Sequence, residues 1–203
     1  MNYHTNMHSK LYFFYGTMGS GKSMLLLAKA YNFQERNIPF LIIKSRIDDR
    51  DGIDVIHSRS LGDRECIGVN TNDNILKIVE NEITTNNTLY QWILVDECQF
   101  LTEKQVDELA EIVDKHHINV LCYGLRNDFR TKLFEGSRRL FEIADTIEEI
   151  KSTCTCGGKT IYNIRVDNRG NIVTDGEQIE VGGDDRYISM CRKCFKEKLK
   201  NIQ

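Results

Sequence analysis

Eight residues near the start of the chain, GTMGSGKS at Gly16–Ser23, constrain its architecture more than any other stretch. Glycine, four residues, then glycine-lysine-serine is the pattern of a phosphate-binding loop. The apolar run LYFFY (11–15) precedes it and a helical pattern follows from residue 22, which is the context such a loop requires. Gly16, Thr17, Met18, Gly19, Ser20 and Gly21 supply a tight turn whose N–H groups converge on phosphate oxygens. The helix N-terminus adds a favourable field for the anion. Lys22 is expected to reach the β- and γ-phosphates of a nucleotide and Ser23 to ligate Mg²⁺. A glycine-rich turn with no ligand is the competing reading; strand and helix, both in place, argue against it.

The first 150 residues alternate short apolar runs with helical patterns. Strands are predicted at 11–15, 40–44, 66–69, 92–96, 119–124 and 145–150, and helices at 22–36, 73–82, 103–115 and 136–143. The strands are near-continuous apolar runs, as in sheets covered on both faces. Thr102 followed by Gln105 has the spacing of a capping box. Together these features predict an α/β fold: a P-loop NTPase-type, mainly parallel sheet flanked by helices.

WILVDECQF (92–100) ends an apolar strand in two adjacent carboxylates. Asp96 stands where P-loop proteins keep an acid that helps hold Mg²⁺, directly or through water. Glu97 beside it suits either of two tasks, orienting a water or accepting a proton from a substrate hydroxyl.

The texture changes after residue 151. KTIYNIRVD-NRG-NIVT reads as a hairpin with its turn near 168–170, and the chain closes in a short helix from CRKCFKEKLKNIQ. Four of the seven cysteines crowd into this part, as Cys154/Cys156 and Cys191/Cys194, with 34 residues between the pairs. Close cysteine pairs in a chain with no export signal favour metal over disulfides. Four thiolates predict a closed, structural Zn²⁺ site. The metal would pin the ends of the glycine-rich segment between them, making the loop at 175–190 a built lid. Cys66, Cys98 and Cys122 read as small buried side chains. The expected organisation is a flexible N-terminus (1–10), a P-loop α/β domain (11–150) and a zinc-stapled domain (151–203) carrying a lasso-like substrate loop.

Composition excludes some classes. A formal net charge of −3 offers no basic field for nucleic acid. No run approaches the roughly 20 apolar residues of a membrane span. MNYHTNMHSK lacks the apolar core of a secretory signal, so a cytoplasmic location is expected. A DNA-dependent ATPase with a cysteine grip, an adenylate-kinase-like enzyme and a nucleotide-regulated binding module are the rival readings. The first needs more chain than 203 residues, and the second carries its lid in mid-chain.

GTMGSGKS, KSRIDDR (44–50), DECQF (96–100), YGLRNDF (123–129), the four cysteines, GGDDRY (182–187) and CRKCF (191–195) together resemble the cellular-type (type II) thymidine kinases, in family order over nearly the whole chain. The one-residue spacer of Cys154/Cys156 is shorter than the family's common two. The resemblance implies ATP-dependent phosphorylation of the thymidine 5′-hydroxyl to dTMP, with Mg²⁺. It implies Glu97 as the proton acceptor, Asp96 as the metal-associated acid, and Asp48 and Arg50 near the phosphates. Phe100, Leu125, Phe129, Phe134 and Met18 would surround the thymine, although Phe129 and Phe134 also suit a core. Gly182, Gly183 and Tyr187 would close over the nucleoside. A homotetramer inhibited by dTTP is implied as well, with neither nucleic acid nor membrane as partner.

Overall fold

The computed structural model describes residues 9–47, 54–58, 62–167, 170–176, 178 and 187–200. In chain order the first part contains β1 (Leu11–Gly16), α1 (Lys22–Glu35), β2 (Phe40–Ser45), β3 (Val55–Ser58), β4 (Gly62–Glu65), β5 (Ile67–Val69) and α2 (Ile75–Asn86). It continues with β6 (Trp92–Asp96), a single 3₁₀ turn (Cys98–Phe100), α3 (Glu103–His116), β7 (Asn119–Leu125), α4 (Glu135–Ile143) and β8 (Thr146–Ile150). The last part holds β9 (Tyr162–Arg165), β10 (Tyr187–Met190) and α5 (Arg192–Lys200).

Six strands form one sheet in the order β5-β2-β6-β7-β1-β8, and every pairing in it is parallel. A parallel sheet must be covered on both faces, and the two sets of alternate side chains meet different cores. Phe13, Ile43, Ile93, Val95 and Val120 pack with residues of α2, α3 and α4. Ile42, Leu94, Leu121 and Tyr123 pack beneath Leu26, Leu27, Ala30 and Phe33 of α1. Because all strands run one way, their carboxyl ends share one edge, where open α/β sheets bind ligands.

All six predicted sheet strands are present, and so is the capping box: Thr102 Oγ1 accepts from Gln105 N at 3.2 Å and Gln105 Oε1 from Thr102 N at 3.1 Å. Helix α2 is displaced from the expected 73–82 because its caps override periodicity. Asn74 caps the N-terminus, accepting from Lys77 N at 2.7 Å. The buried Glu108 of α3 accepts from Ile75 N at 2.7 Å, placing a carboxylate at that helix end. The β3–β4 hairpin, paired antiparallel, has no apolar alternation to announce it in GDRE (62–65). Arg46 anchors the approach to it with two bonds to Asp54, at 3.0 and 2.7 Å.

In the last part the expected hairpin is incomplete. β9 takes β10 as its antiparallel partner, while among the described residues the nearer arm contributes the bridge Val166–Ile172, with Val173 N bonded to Arg165 O and Asp167 N to Asn171 O, each at 2.9 Å. Ile164, Val166, Ile172 and Met190 make a small separate core with Cys154 and Cys191. Among the described residues no helix is long and apolar enough to cross a membrane.

Candidate active site

Gly16 ends β1 in register with Leu125 of β7, and the chain then enters the turn predicted from GTMGSGKS. Ser20 N bonds Thr17 O at 3.2 Å, and Gly19 (φ 70°) and Gly21 (φ 86°) take left-handed conformations that suit glycine. A Cβ on Gly16 would lie 2.4 Å from Ser20 Oγ and 2.8 Å from Ile150 O, so the close return of the loop excludes any side chain there. Lys22 is buried and folds back, its Nζ donating to Thr17 O at 2.9 Å. Two observations fit this cradle to an anionic group. No side chain caps the N-terminus of α1, which leaves its first-turn N–H groups as donors. The Ser20 hydroxyl is buried with no hydrogen-bond partner among the described residues.

Two strands from β1, across β7, β6 delivers the carboxylate pair. Glu97 adopts a left-handed conformation at φ 50°, ψ 38°, uncommon for a residue with a side chain. Such conformations cost about 1–3 kcal/mol and concentrate at functional sites. The Glu97 N–H donates to Asp96 Oδ1 at 3.1 Å. Asp96 is buried on the α1 face, hydrogen-bonded by the Ser23 side chain and near the Lys22 charge. Burial, followed by the neighbouring Glu97 charge, lifts its pKa from 3.8 to about 7. A buried carboxylate facing the phosphate loop beside the Ser23 hydroxyl has the donor chemistry to hold a divalent cation with Ser23. Glu97 is only half-buried, and its Oε2 accepts from Gln99 Nε2 at 2.5 Å.

Gln99 was quoted within DECQF but given no role by the sequence. It is fully buried, and its amide spans two elements: Nε2 holds Glu97 while Oε1 accepts from Leu125 N at 2.9 Å. Gly124 makes the approach possible, since a Cβ there would lie 2.7 Å from Gln99 Oε1 and 2.6 Å from Cys98 Sγ. Next to this bridge Phe100 meets Phe134 edge-on at 5.6 Å. Phe129 and Phe134 are both buried, and the Arg165 guanidinium covers the Phe129 ring at 3.9 Å. Met18, Leu125 and Tyr187 are partly exposed. Asp48, Arg50, Gly182 and Gly183 lie outside the described residues.

The four cysteines converge as their spacing suggested. Their sulfurs all lie within 4.8 Å of one another, and Cys156 and Cys191 Sγ are 3.5 Å apart. Tetrahedral Zn–S bonds of about 2.3 Å place sulfurs about 3.8 Å apart, so the set fits zinc. The short spacer is accommodated by a tight loop in which Gly157 (φ 85°) returns the chain, with Cys154 N bonded to Gly158 O at 2.7 Å. Backbone N–H groups of Cys156 and Cys191 point at the Cys154 sulfur and draw its pKa down to about 6, towards thiolate.

The cysteine-bearing part is docked on the phosphate loop, through contacts that sequence reading did not anticipate. Asn163 Oδ1 accepts from Met18 N at 2.8 Å, Ser189 Oγ donates to Met18 O at 2.8 Å, and the Thr17 and Thr160 hydroxyls meet at 2.8 Å. Asn163 and Ser189 face each other across β9 and β10. The sequence signal for these contacts is slight: Ser189 is the small polar residue of YISM, and YNIR carries both Asn163 and Arg165.

Comparison with known proteins agrees with this geometry. Residues 9–195 match the family model described as thymidine kinase. The chain is 45% identical over 190 residues to the thymidine kinase of Mannheimia succiniciproducens, covering 94% of this chain and 96% of the relative. It is 46% identical over 191 residues to that of Rhodopirellula baltica, covering 94% and 90%, and 44% identical over 191 residues to that of Photobacterium profundum, covering 94% and 98%.

The raised pKa of Asp96 has a stability consequence for protein free of nucleotide and magnesium. With a folded-state value near 7 against 3.8, the acid stabilises the fold while protonated, and that contribution is lost as pH rises through about 7. Asp96→Asn should flatten this dependence and gain on the order of a few kcal/mol over the unsubstituted protein at about pH 8, read by urea denaturation at about pH 4 and 8. An unchanged pH slope in the variant would remove Asp96 as its source.

Proposed function

Since the chain belongs to the thymidine kinase family, we propose that it transfers the γ-phosphoryl group of ATP to the 5′-hydroxyl of thymidine, giving dTMP and ADP. The observation that carries the assignment of roles is the Gln99 bridge, which fixes Glu97 beside Phe100 and Leu125 while Asp96 turns towards Ser23 and Lys22. Glu97 is the base: its carboxylate takes the 5′-hydroxyl proton as the oxygen attacks the γ-phosphorus and the bond to the β-phosphate oxygen breaks. Lys22 and the loop N–H groups hold the phosphates and the charge that moves onto ADP. Ser23 and Asp96 would hold Mg²⁺, which when bound would supply charge neutralisation on the phosphates. Asp48 and Arg50 are assigned to the phosphate side of the site.

Phe100, Leu125, Phe134 and Met18 form the thymine pocket, with Phe129 behind it under Arg165. Tyr187, Gly182 and Gly183 close it from residues 151–203, held in place by zinc on Cys154, Cys156, Cys191 and Cys194. The clasp of Asn163 and Ser189 on Met18 sets the nucleoside pocket against the triphosphate cradle. That adjacency suits dTTP as an inhibitor spanning both. Helix α1 supports self-association into the homotetramer: Leu26, Leu27, Ala30 and Phe33 fill the core, yet Met24, Leu25 and Tyr31 are 47%, 42% and 56% exposed at helical spacing on its outer side. A second copy would cover them.

Purified protein with Mg-ATP and a panel of nucleosides, with single-stranded DNA in parallel, tests the activity. ADP release that requires thymidine is expected; release that responds only to DNA would overturn it. Glu97→Gln should retain ATP binding and lose about two to four orders of magnitude in kcat, and normal turnover would strip Glu97 of its role. Cys191→Ser or chelation should remove zinc and raise KM for thymidine more than KM for ATP. A zinc-free protein with unchanged thymidine KM would contradict the metal's link to the lid.

A further inference from the structure

Asp128 sits in YGLRNDF as an ordinary polar loop residue, yet its side chain is wholly buried at 0% exposure. Its two oxygens have different partners. Oδ1 accepts from Lys132 N at 2.8 Å and closes the local turn. That turn is also fixed by backbone bonds from Asp128 N to Lys132 O at 2.8 Å and from Thr131 N to Asp128 O at 3.1 Å. Oδ2 accepts from Gln178 Nε2 at 3.0 Å and faces Arg130 Nε and NH2, each at 3.4 Å.

Neighbouring groups hold the same distant segment. Arg130 NH1 donates to Gly176 O at 3.4 Å. Arg165 NH2 donates to Asp175 O at 3.0 Å while its guanidinium covers Phe129. Asp175, Gly176 and Gln178 are thus each held by a side chain that lies on, or packs against, the loop bearing Phe129. Closing the turn needs one neutral acceptor, which asparagine would supply. Burying a full negative charge carries a desolvation penalty that the turn alone does not explain. The second oxygen answers to the distant segment.

We propose that Asp128 is a positioning residue whose Oδ2 anchors the start of the nucleoside-covering segment to the loop carrying Phe129 and Phe134, so that both walls of the pocket form as one unit. Its effect on catalysis rests on the reading of the pocket given above; the anchor itself does not. The contacts lie on the nucleoside side, so the effect falls on thymidine rather than ATP.

Asp128→Asn separates the two duties. It keeps an acceptor for Lys132 N, removes the charge shared by Gln178 and Arg130, and turns a donor towards the Arg130 guanidinium, leaving Gln178 at most a neutral bond through a flipped amide. Adding Gln178→Glu restores donor–acceptor pairing with the roles exchanged. In Asp128→Asn, amide hydrogen exchange at 175–178 should accelerate about tenfold while Lys132 is unchanged, the scale of one charge-assisted bond. KM for thymidine should rise by about the same factor, with KM for ATP and zinc content held. The double variant should return towards the original values in both measurements, a non-additivity that general loss of stability would not produce.

Unchanged exchange at 175–178 in Asp128→Asn overturns the anchor, whatever nucleoside the enzyme accepts. Faster exchange at Lys132 with equal rises in both KM values also overturns it, by restricting Asp128 to its own turn. Accelerated exchange at 175–178, reversed in the double variant, supports the anchor even if thymidine proves not to be the acceptor; that outcome sinks only the functional reading.

Discussion

The backbone of Met18 is held at both its N–H and its carbonyl by the cysteine-bearing part of the chain. Its N–H donates to Asn163 and its carbonyl accepts from Ser189. The loop that cradles phosphates therefore does not stand alone on its sheet; its apex is set by residues 145 and 171 positions away. The sheet cores and the small core around Ile164 are separate clusters, so directional bonds at Met18 and Thr17, rather than a shared apolar interior, define how the two fit. Hydrogen bonds specify orientation where apolar contact alone would permit sliding.

That dependence links the metal to the chemistry. The four cysteine sulfurs gather the ends of a segment that contains both β9 and β10, and those strands carry Asn163 and Ser189 in register. A core as small as this one gains much of its stability from such a staple. A zinc ion held by these four sulfurs would touch no reacting atom, yet the part of the chain they gather reaches the phosphate loop through two side chains.

The sheet strands, the phosphate loop, the capping box at Thr102 and the cysteine cluster were legible in the sequence because each is dictated locally, by hydrophobic period, by glycine at fixed offsets or by ligand chemistry. The less legible features depend on partners distant in sequence. Glu108 caps a helix 33 residues earlier, which no pattern within α2 reveals. Gln99 lay inside a recognised motif, but its role depends on the approach of Leu125, 26 residues on. The split between Asp96 and Glu97 comes from a left-handed backbone that is not encoded by a glycine. The hairpin of β3 and β4 buries one apolar side chain, Ile56, against the α1-side core, and polar contacts such as Arg64 to Gln34 hold the rest, a mixture with no periodic signature. YNIR forms strand β9 as its pattern suggests, but its ladder partner is the distant β10 and not the nearer arm of the expected hairpin.

Strand β7 lies between β1 and β6, and it acts as a gauge. Two inter-strand spacings, about 10 Å, separate the backbone that launches the phosphate loop from the backbone that launches Asp96, and Ser23 reaches over the gap. This width comes from main-chain hydrogen bonds, which are indifferent to side-chain identity. Val120, Leu121 and Cys122 can therefore drift among residues of similar volume without altering the reach between the two halves of the site. An additional strand inserted at that point would widen it beyond the span of any serine.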